Sequence, residues 1–398
     1  MSAEIEPARQ ADEPLGLYVH WPFCASKCPY CDFNSHVTDH VDHARWQAAL
    51  VTELETLAAR VGPRPLSSIF FGGGTPSLME PDTVAAVIGR AQSLFRFNNN
   101  IEISLEANPT SVEAGKLDRF QAAGINRISL GIQALNDPDL KFLGRTHSAA
   151  EAIAAIEVAR DCFDNVSFDL ITARPDQDLD DWLAELQRAV ALGTDHLSIY
   201  HLTIEPTTPF HALHARGAFT LPDDDTAATL YEATRDTLME LGLATYEVSN
   251  HARPGHACRH NLLYWHYGDY LGIGPGAHGR LSTRNSNGLL AKTATRTHRA
   301  PSIWLDRVER DGHALVDDLP VSRDEMLTEA TMMGLRTTGG LSRDRWRALF
   351  DAEPETLFAA DRLGDLIDEG FLLLDDDGLR ATDDGRLRLD AVTGHLLR

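Results

Sequence analysis

Three cysteines within eight residues, Cys24, Cys28 and Cys31, are the side chains of this sequence best placed to do chemistry. Their spacing, C-x3-C-x2-C, puts three soft sulfur donors on one short stretch. The chain has five cysteines in all; the others are Cys162 and Cys258. The first fourteen residues, MSAEIEPARQADEP, lack the apolar core of an export signal. An odd cysteine count without such a signal argues against a disulfide framework. Zinc ribbons and fingers use two paired elements far apart in sequence, and a second pair is missing here. His20 or His36 completes a Cys3His zinc site in one reading. Three thiolates on one loop suit an iron–sulfur cluster better. With three protein ligands on four irons, one iron stays open to a small molecule. Structural core cysteines are the plain alternative, against which stands the polar company of Ser26, Lys27 and Asp32. Cys162, on an amphipathic stretch, reads as an inert core cysteine.

Such a loop needs a frame, and the chain supplies a repeating one. Short β-rich runs stand at Leu15–His20, Ser68–Phe71, Ile101–Glu106, Arg127–Ile132, Val166–Ile171 and His196–Leu202. Amphipathic stretches of helical period lie between them, near 42–60, 81–94, 111–123, 148–161 and 178–192. Strand alternating with helix implies parallel strands joined by right-handed crossovers. Six units predict an α/β fold, a partial (β/α)6 TIM-like barrel open on one side, with a doubly wound sheet as the alternative. The strand ends carry the polar surprises: the cysteines, then Gly72-Gly73-Gly74-Thr75-Pro76, Glu106-Ala107-Asn108-Pro109, Gly131-Ile132-Gln133, Asp169, and Tyr200-His201. In barrels of this kind the active site forms at the carboxyl ends of the strands.

The predicted boundaries are a flexible tail over 1–14, the barrel over 15–205, a barrel extension over 206–300 and a small helical, winged-helix-like C-terminal domain over 301–398. That last domain rests on helical periodicity ending in an apolar run, Phe371–Leu374, a turn, and Leu379–Ala381. Hydrophobic residues make 43% and charged residues 24% of the chain, as in ordinary globular proteins, so disordered classes are excluded. No apolar run reaches the ~18 residues of a membrane span. The 36 basic and 59 acidic residues give a net charge of −23, which repels phosphate backbones and excludes nucleic acid as a general partner.

The stretch Y-V-H-W-P-F-C-A-S-K-C-P-Y-C-D-F-N-S-H, Tyr18 to His36, resembles the cluster loop of radical S-adenosylmethionine (SAM) proteins. More narrowly it resembles the oxygen-independent coproporphyrinogen III dehydrogenase family. The segments GGGTP, LEANP, GIQAL and SIYHLTIEP stand in that family's order and spacing, so the resemblance runs from about 15 to 398. It implies a radical SAM barrel with a [4Fe–4S] cluster on Cys24, Cys28 and Cys31, whose open iron is chelated by SAM. It also implies a SAM pocket lined by Tyr18, Tyr30, Gly73, Gly74, Thr75, Glu106, Gln133, Arg145 and Asp169. In the family's chemistry the cluster gives one electron to the sulfonium, leaving methionine and a 5′-deoxyadenosyl radical.

Two departures point to a branch. The dehydrogenases carry a further cysteine two residues after the third ligand, where this chain has Phe33. They also have a longer amino-terminal arm, against about seventeen residues here. Both features resemble the heme chaperone branch, which implies binding of heme and its delivery to a membrane respiratory acceptor protein. The expected setting is the cytoplasm, peripheral to the membrane during delivery, with a homodimer among the expected partners. The alternative is the dehydrogenase itself, oxidatively decarboxylating coproporphyrinogen III to protoporphyrinogen IX. The H-N-L-L-Y-W run matches a motif of the chaperone branch and makes His260, Asn261, Tyr264 and Trp265 the expected heme site. It lies among five of the 17 histidines: His251, His256, His260, His266 and His278. A neutral imidazole is a good axial ligand for heme iron. Downstream, 271–300 has no acid but carries Arg280, Arg284, Lys292, Arg296 and Arg299, an expected receptor for propionates. His256-Ala257-Cys258-Arg259-His260 is alternatively a zinc site. One segment departs from the family pattern: Ala173, Arg174 and Asp176 stand where glycine, leucine and glycine are usual.

Overall fold

The computed structural model describes residues 9–10, 14–38, 40–112, 114–284 and 289–398. Six parallel strands form its centre: β1 Leu15–Trp21, β2 Pro65–Gly73, β3 Arg96–Ala107, β4 Arg127–Gln133, β5 Val166–Thr172 and β6 His196–His201. They pair in sequence order, each parallel to the next. A doubly wound sheet would reverse that order part-way. The helices expected from periodicity are present at His43–Val61, Pro81–Leu94, Ala114–Ala123, Ala149–Cys162 and Leu179–Ala191. Local chemistry starts them. Pro81 sits at the first helical turn, Ser148 and Glu151 form a reciprocal capping box, and Asp178 caps the last helix.

Side chains alternate along each strand. Leu17, Val19, Ile69, Phe71, Leu105, Leu130, Phe168 and Leu170 are buried against the helices. The opposite set, which includes Ser68, Ser104, Ser129, Asp169 and Ser198, gives the barrel a polar interior. Trp46 and Trp304 stack at 5.0 Å in the same core.

Six further strands extend this sheet at both edges, so 206–300 is not one block. β7 Ala244–Glu247 and β8 Asn250–Ala252 continue beyond β6. β9 Asp269–Ile273 runs parallel to β1, followed outward by β10 His278–Arg284, β11 Leu290–Thr297 and β12 Leu315–Val321. Arg9–Gln10 pairs with β10, within the expected tail; the rest of 1–13 lies outside the described residues.

The expected boundary at 301 does not hold. The helix Pro301–Asp311 buries Trp304, Leu305 and Val308 in the barrel's core, and β12 closes the large sheet. Periodicity locates a helix but not the core that receives it. A second core begins near Met326 and gathers Trp346, Leu349, Phe350, Leu372, Leu379 and Leu396. Its three-stranded sheet, with the hairpin Leu372–Leu374 and Gly378–Ala381, completes the winged-helix-like module.

Two short helices escape sequence reading, Asp137–Phe142 and Pro209–Ala215. They bring Leu140 and Phe210 into a third small core beneath the cysteine loop.

Candidate cluster and cofactor site

A cleft of about 340 Å³ opens at the carboxyl ends of the six strands. That lies within the ~300–1,000 Å³ usual for small-molecule sites. Cys24, Cys28 and Cys31 line it together with Tyr30, Gly73, Gly74, Thr75, Glu106, Gln133, Arg145 and Asp169.

The cysteine loop is fastened on three sides. The Gly74 and Thr75 amides donate to the carbonyls of Trp21 and Phe23, at 2.7 and 2.8 Å. A Cβ on Gly74 would lie 2.7 Å from the Phe23 carbonyl oxygen and 3.1 Å from Cys24 Sγ, so this close crossing requires glycine. On the second side, Phe210 N donates to Pro29 O at 2.9 Å, and its ring lies 6.2 Å from Tyr30. On the third, Asn34 Nδ2 donates to the carbonyls of Pro275 and Arg299, both at 2.9 Å. None of Phe210, Asn34 or Pro275 was singled out from sequence; their partners are distant in the chain, and no local pattern marks them.

Polar groups already face the three sulfurs, with Ser35 Oγ 4.0 Å from Cys31 Sγ. Thr75 Oγ1 donates to Cys24 Sγ at 3.3 Å, and Arg145 Nη1 to Cys28 Sγ at 3.2 Å. Arg145 Nη2 also donates to Gly131 O at 2.7 Å, tying its guanidinium to β4. Burial pushes the Cys24 and Cys31 thiols up from their ordinary values. Metal binding replaces such protons and needs compensating donors of this sort. Among the described residues, no three His, Cys, Asp or Glu side chains converge as a single-ion site requires. A cluster asks for something different, one thiolate on each of three irons.

Across the cleft the charge balance is negative. Glu106 accepts one hydrogen bond, from Gly73 N at 3.1 Å. Removal from water, reinforced by the Asp169 charge, raises its carboxyl to about 8. Asp169 is raised to about 6 by removal from water, with the Ser129 and Ser198 hydroxyls and the charges of Arg145 and Arg127 opposing. Gln133 sits at a bulge with φ 79°, which re-aims the end of β4 toward the cleft. A buried carboxyl pair in which Glu106 has no cationic partner among the described residues suits a ligand that brings positive charge and hydroxyls.

Tyr18 is not among the lining residues. Its hydroxyl meets His20 Nδ1 at 3.0 Å, and its ring lies 6.4 Å from Phe70 inside the barrel. His20 Nε2 in turn meets Asn34 O at 3.0 Å, so Tyr18 reaches the loop only through that relay.

The expected heme residues are elsewhere. The helix Arg259–Trp265 packs at the strand starts, with His260 and Leu263 beside Gly16 of β1 and the Arg259 and His260 amides donating to Glu102 near the middle of β3. His260 is 1% exposed, with Nδ1 at 2.8 Å from Ser68 Oγ and Nε2 at 2.7 Å from the Tyr264 hydroxyl. Both ring nitrogens are therefore occupied, and burial lowers the imidazole to about 3. Tyr264 packs on Tyr270 at 4.4 Å, Arg336 stacks over Trp265 at 4.6 Å, and Asn261 lies on the same helix. In this structure the motif serves as polar core packing, with the His260, Tyr264 and Trp265 side chains engaged by protein partners. Cys258 faces Glu102 at 3.4 Å while His256 meets Asn165, so they do not form a metal site with His260.

Three of the five cations in the acid-free stretch are paired. Lys292 is buried against Asp269 at 2.9 Å, Arg280 pairs with Glu329 at 2.8 Å, and Arg296 with Asp317 at 2.7 Å. The acids come from outside 271–300, which is why the segment looked unbalanced in sequence. Residues 285–288 lie outside the described residues.

Comparison with known proteins agrees with this geometry. Residues 18–189 match the radical SAM superfamily, and residues 321–388 match the HemN C-terminal domain. The chain is 41% identical to "Radical S-adenosyl methionine domain-containing protein 1, mitochondrial" of Bos taurus, over 96% of this chain and 87% of that protein. It is 35% identical to "Heme chaperone HemW" of Mycobacterium tuberculosis, over 97% of this chain and 95% of that one. The chain belongs to the radical SAM superfamily, in the heme chaperone branch of its coproporphyrinogen III dehydrogenase-like family. Its fold is that of the Escherichia coli coproporphyrinogen III oxidase HemN, a radical SAM enzyme, with a TM-score of 0.79 at 24% identity over 96% of this chain and 90% of that chain. Membership of the superfamily implies a [4Fe–4S] cluster and SAM. Among the described residues no helix is long and apolar enough to cross a membrane.

The residues of the cleft fit both groups. Cys24, Cys28 and Cys31 would hold the cluster, with Thr75 and Arg145 donating to sulfur. Glu106 and Asp169 would face the sulfonium and ribose, which offer Glu106 the positive charge it lacks and both carboxylates further donors.

Proposed function

We propose that this protein is a heme chaperone of the radical SAM type. It carries a [4Fe–4S] cluster on Cys24, Cys28 and Cys31, binds SAM in the cleft, and carries heme to a membrane respiratory acceptor protein. It acts in the cytoplasm and meets the membrane only through that acceptor. When bound, the cluster supplies an electron for reductive chemistry on the sulfonium; the protein's own residues orient the ligand and hold charge around it.

The observation that carries this reading is Phe33. It stands 60% exposed at the rim of the cleft, where the dehydrogenases carry a further cysteine. An apolar ring there offers no sulfur to the chemistry beside the cluster. The near full-length match to a relative named as a heme chaperone supports the same branch.

Titration of anaerobically reconstituted protein with hemin tests the proposal. One equivalent is expected to bind, with a Soret band distinct from that of free hemin. A titration indistinguishable from hemin in buffer overturns it.

A further inference from the structure

We infer that heme docks in a second cleft, between the barrel and the C-terminal module, with His201 as its axial ligand. This inference rests on the heme-carrying reading above. The cleft encloses about 500 Å³ and is separate from the cysteine-lined one. His201, the last residue of β6, lines both.

Among the residues lining this cleft, His201 is the one with a buried side-chain nitrogen that lacks a partner. Among the described residues its imidazole makes no hydrogen bond, and its Nε2 is buried. Leaving a buried polar atom unpaired is costly, so a turn of the imidazole that brings this nitrogen to a ligand in the cleft loses no protein hydrogen bond. Removal from water lowers this histidine. A neutral imidazole with a free nitrogen is the form that ligates heme iron. Its contrast with His260 is direct, since both ring nitrogens of His260 are taken.

The walls suit a flat, largely apolar, dianionic molecule. Ile199 and Val248 form one side, and the helix Asp224–Glu240 presents Ala227, Ala228 and Tyr231 on another. The Tyr231 ring stands 6.0 Å from His201, at 71° to it. Small residues beside an aromatic leave room for a planar ring system.

At the third side the C-terminal module supplies Arg386 and Arg388. Arg386 pairs with Asp383 and donates to Ala381 O at 2.7 Å. Arg388 donates to Asp384 O at 3.3 Å and, among the described residues, pairs with no carboxylate. In a chain of net charge −23 an arginine without a carboxylate partner at a cleft mouth is a ready receptor for a propionate. Asp224 is the one acid of the lining. Together these are the parts a metalloporphyrin needs: an axial nitrogen, apolar faces and a cation at the edge. His201 stands between the two clefts, at the end of β6.

Hemin titration of His201→Ala and Arg388→Gln, followed at the Soret band, tests the site. His201→Ala is expected to bind at least tenfold more weakly than wild type with a shifted Soret band, and added imidazole to restore the wild-type band. Arg388 is exposed, so Arg388→Gln keeps the fold. It is expected to weaken hemin severalfold while leaving hemin dimethyl ester unaffected. If wild type binds hemin and neither variant differs from it, the site is wrong while the chaperone reading stands. If wild type binds no hemin, the chaperone reading itself fails.

Discussion

Arg174 lies beneath the SAM-side loop with Nη2 2.5 Å from Glu185 Oε2. The pair is buried, with side chains 3% and 8% exposed. Glu185 Oε1 also takes the Leu135 amide at 2.5 Å, and Arg188 Nη1 donates to the Leu135 carbonyl at 2.9 Å. Leu135 stands two residues beyond Gln133, so this pair pins the turn that aims Gln133 at the cleft. The arginine that replaces the family's usual leucine is therefore compensated. Arg174→Leu strands a buried carboxylate and is expected to cost about 3–5 kcal/mol. Urea unfolding measures it; a loss under ~1 kcal/mol would show the pair to be dispensable.

In the same loop, Ala173 and Asp176 keep left-handed backbones, with φ 58° and 55°. The usual glycines are gone while the conformation they serve remains. Ala173→Gly is expected to stabilise the protein by roughly 0.5–1 kcal/mol, the relief of strain exceeding the added entropy of the unfolded chain. Asp176→Gly should gain less, because Asp tolerates this region better. Thermal melts decide; a lower midpoint for Ala173→Gly contradicts the account.

His260→Ala opens a cavity and orphans the Ser68 and Tyr264 hydroxyls. A cost of about 2–4 kcal/mol is expected, with hemin affinity unchanged in the protein that remains folded. Loss of hemin binding at wild-type stability would return the axial role to this residue.

Glu106 sets a pH dependence. Its folded value, about 8, exceeds the ordinary 4.5, so the ionised form is penalised and stability without ligand falls as pH rises from 4.5 to 8. A cationic ligand favours the ionised form. SAM affinity is therefore expected to rise between pH 6 and 8, by at most about tenfold per unit for one proton, and to level off above 8. Glu106→Gln should remove that component. Binding measured across this range by calorimetry, with the same slope in wild type and variant, would rule out Glu106 as the group responsible.

The barrel was legible because its signals are local. Strand runs, helical periods and the polar residues at strand ends all reappear at the cleft, from Cys24 to Asp169. What sequence misplaced depends on long-range partners. His260 reads as a free imidazole in sequence, whereas Ser68, 192 residues away, meets its Nδ1 in the fold. Arg280 and Arg296 looked unpaired because Glu329 and Asp317 lie outside their segment. Helical period could not tell that Trp304 packs on Trp46 rather than in the C-terminal core. His201 was visible only as an unusual strand end; its missing partner is a property of the folded interior.

The central claim is that a radical SAM barrel here serves heme carriage rather than decarboxylation. Anaerobic incubation of reconstituted protein with coproporphyrinogen III, SAM and a low-potential reductant, followed by chromatography of the porphyrins, tests it most directly. Unchanged coproporphyrinogen is expected from protein that binds hemin in a parallel sample. Protoporphyrinogen IX formed in more than one turnover would contradict it.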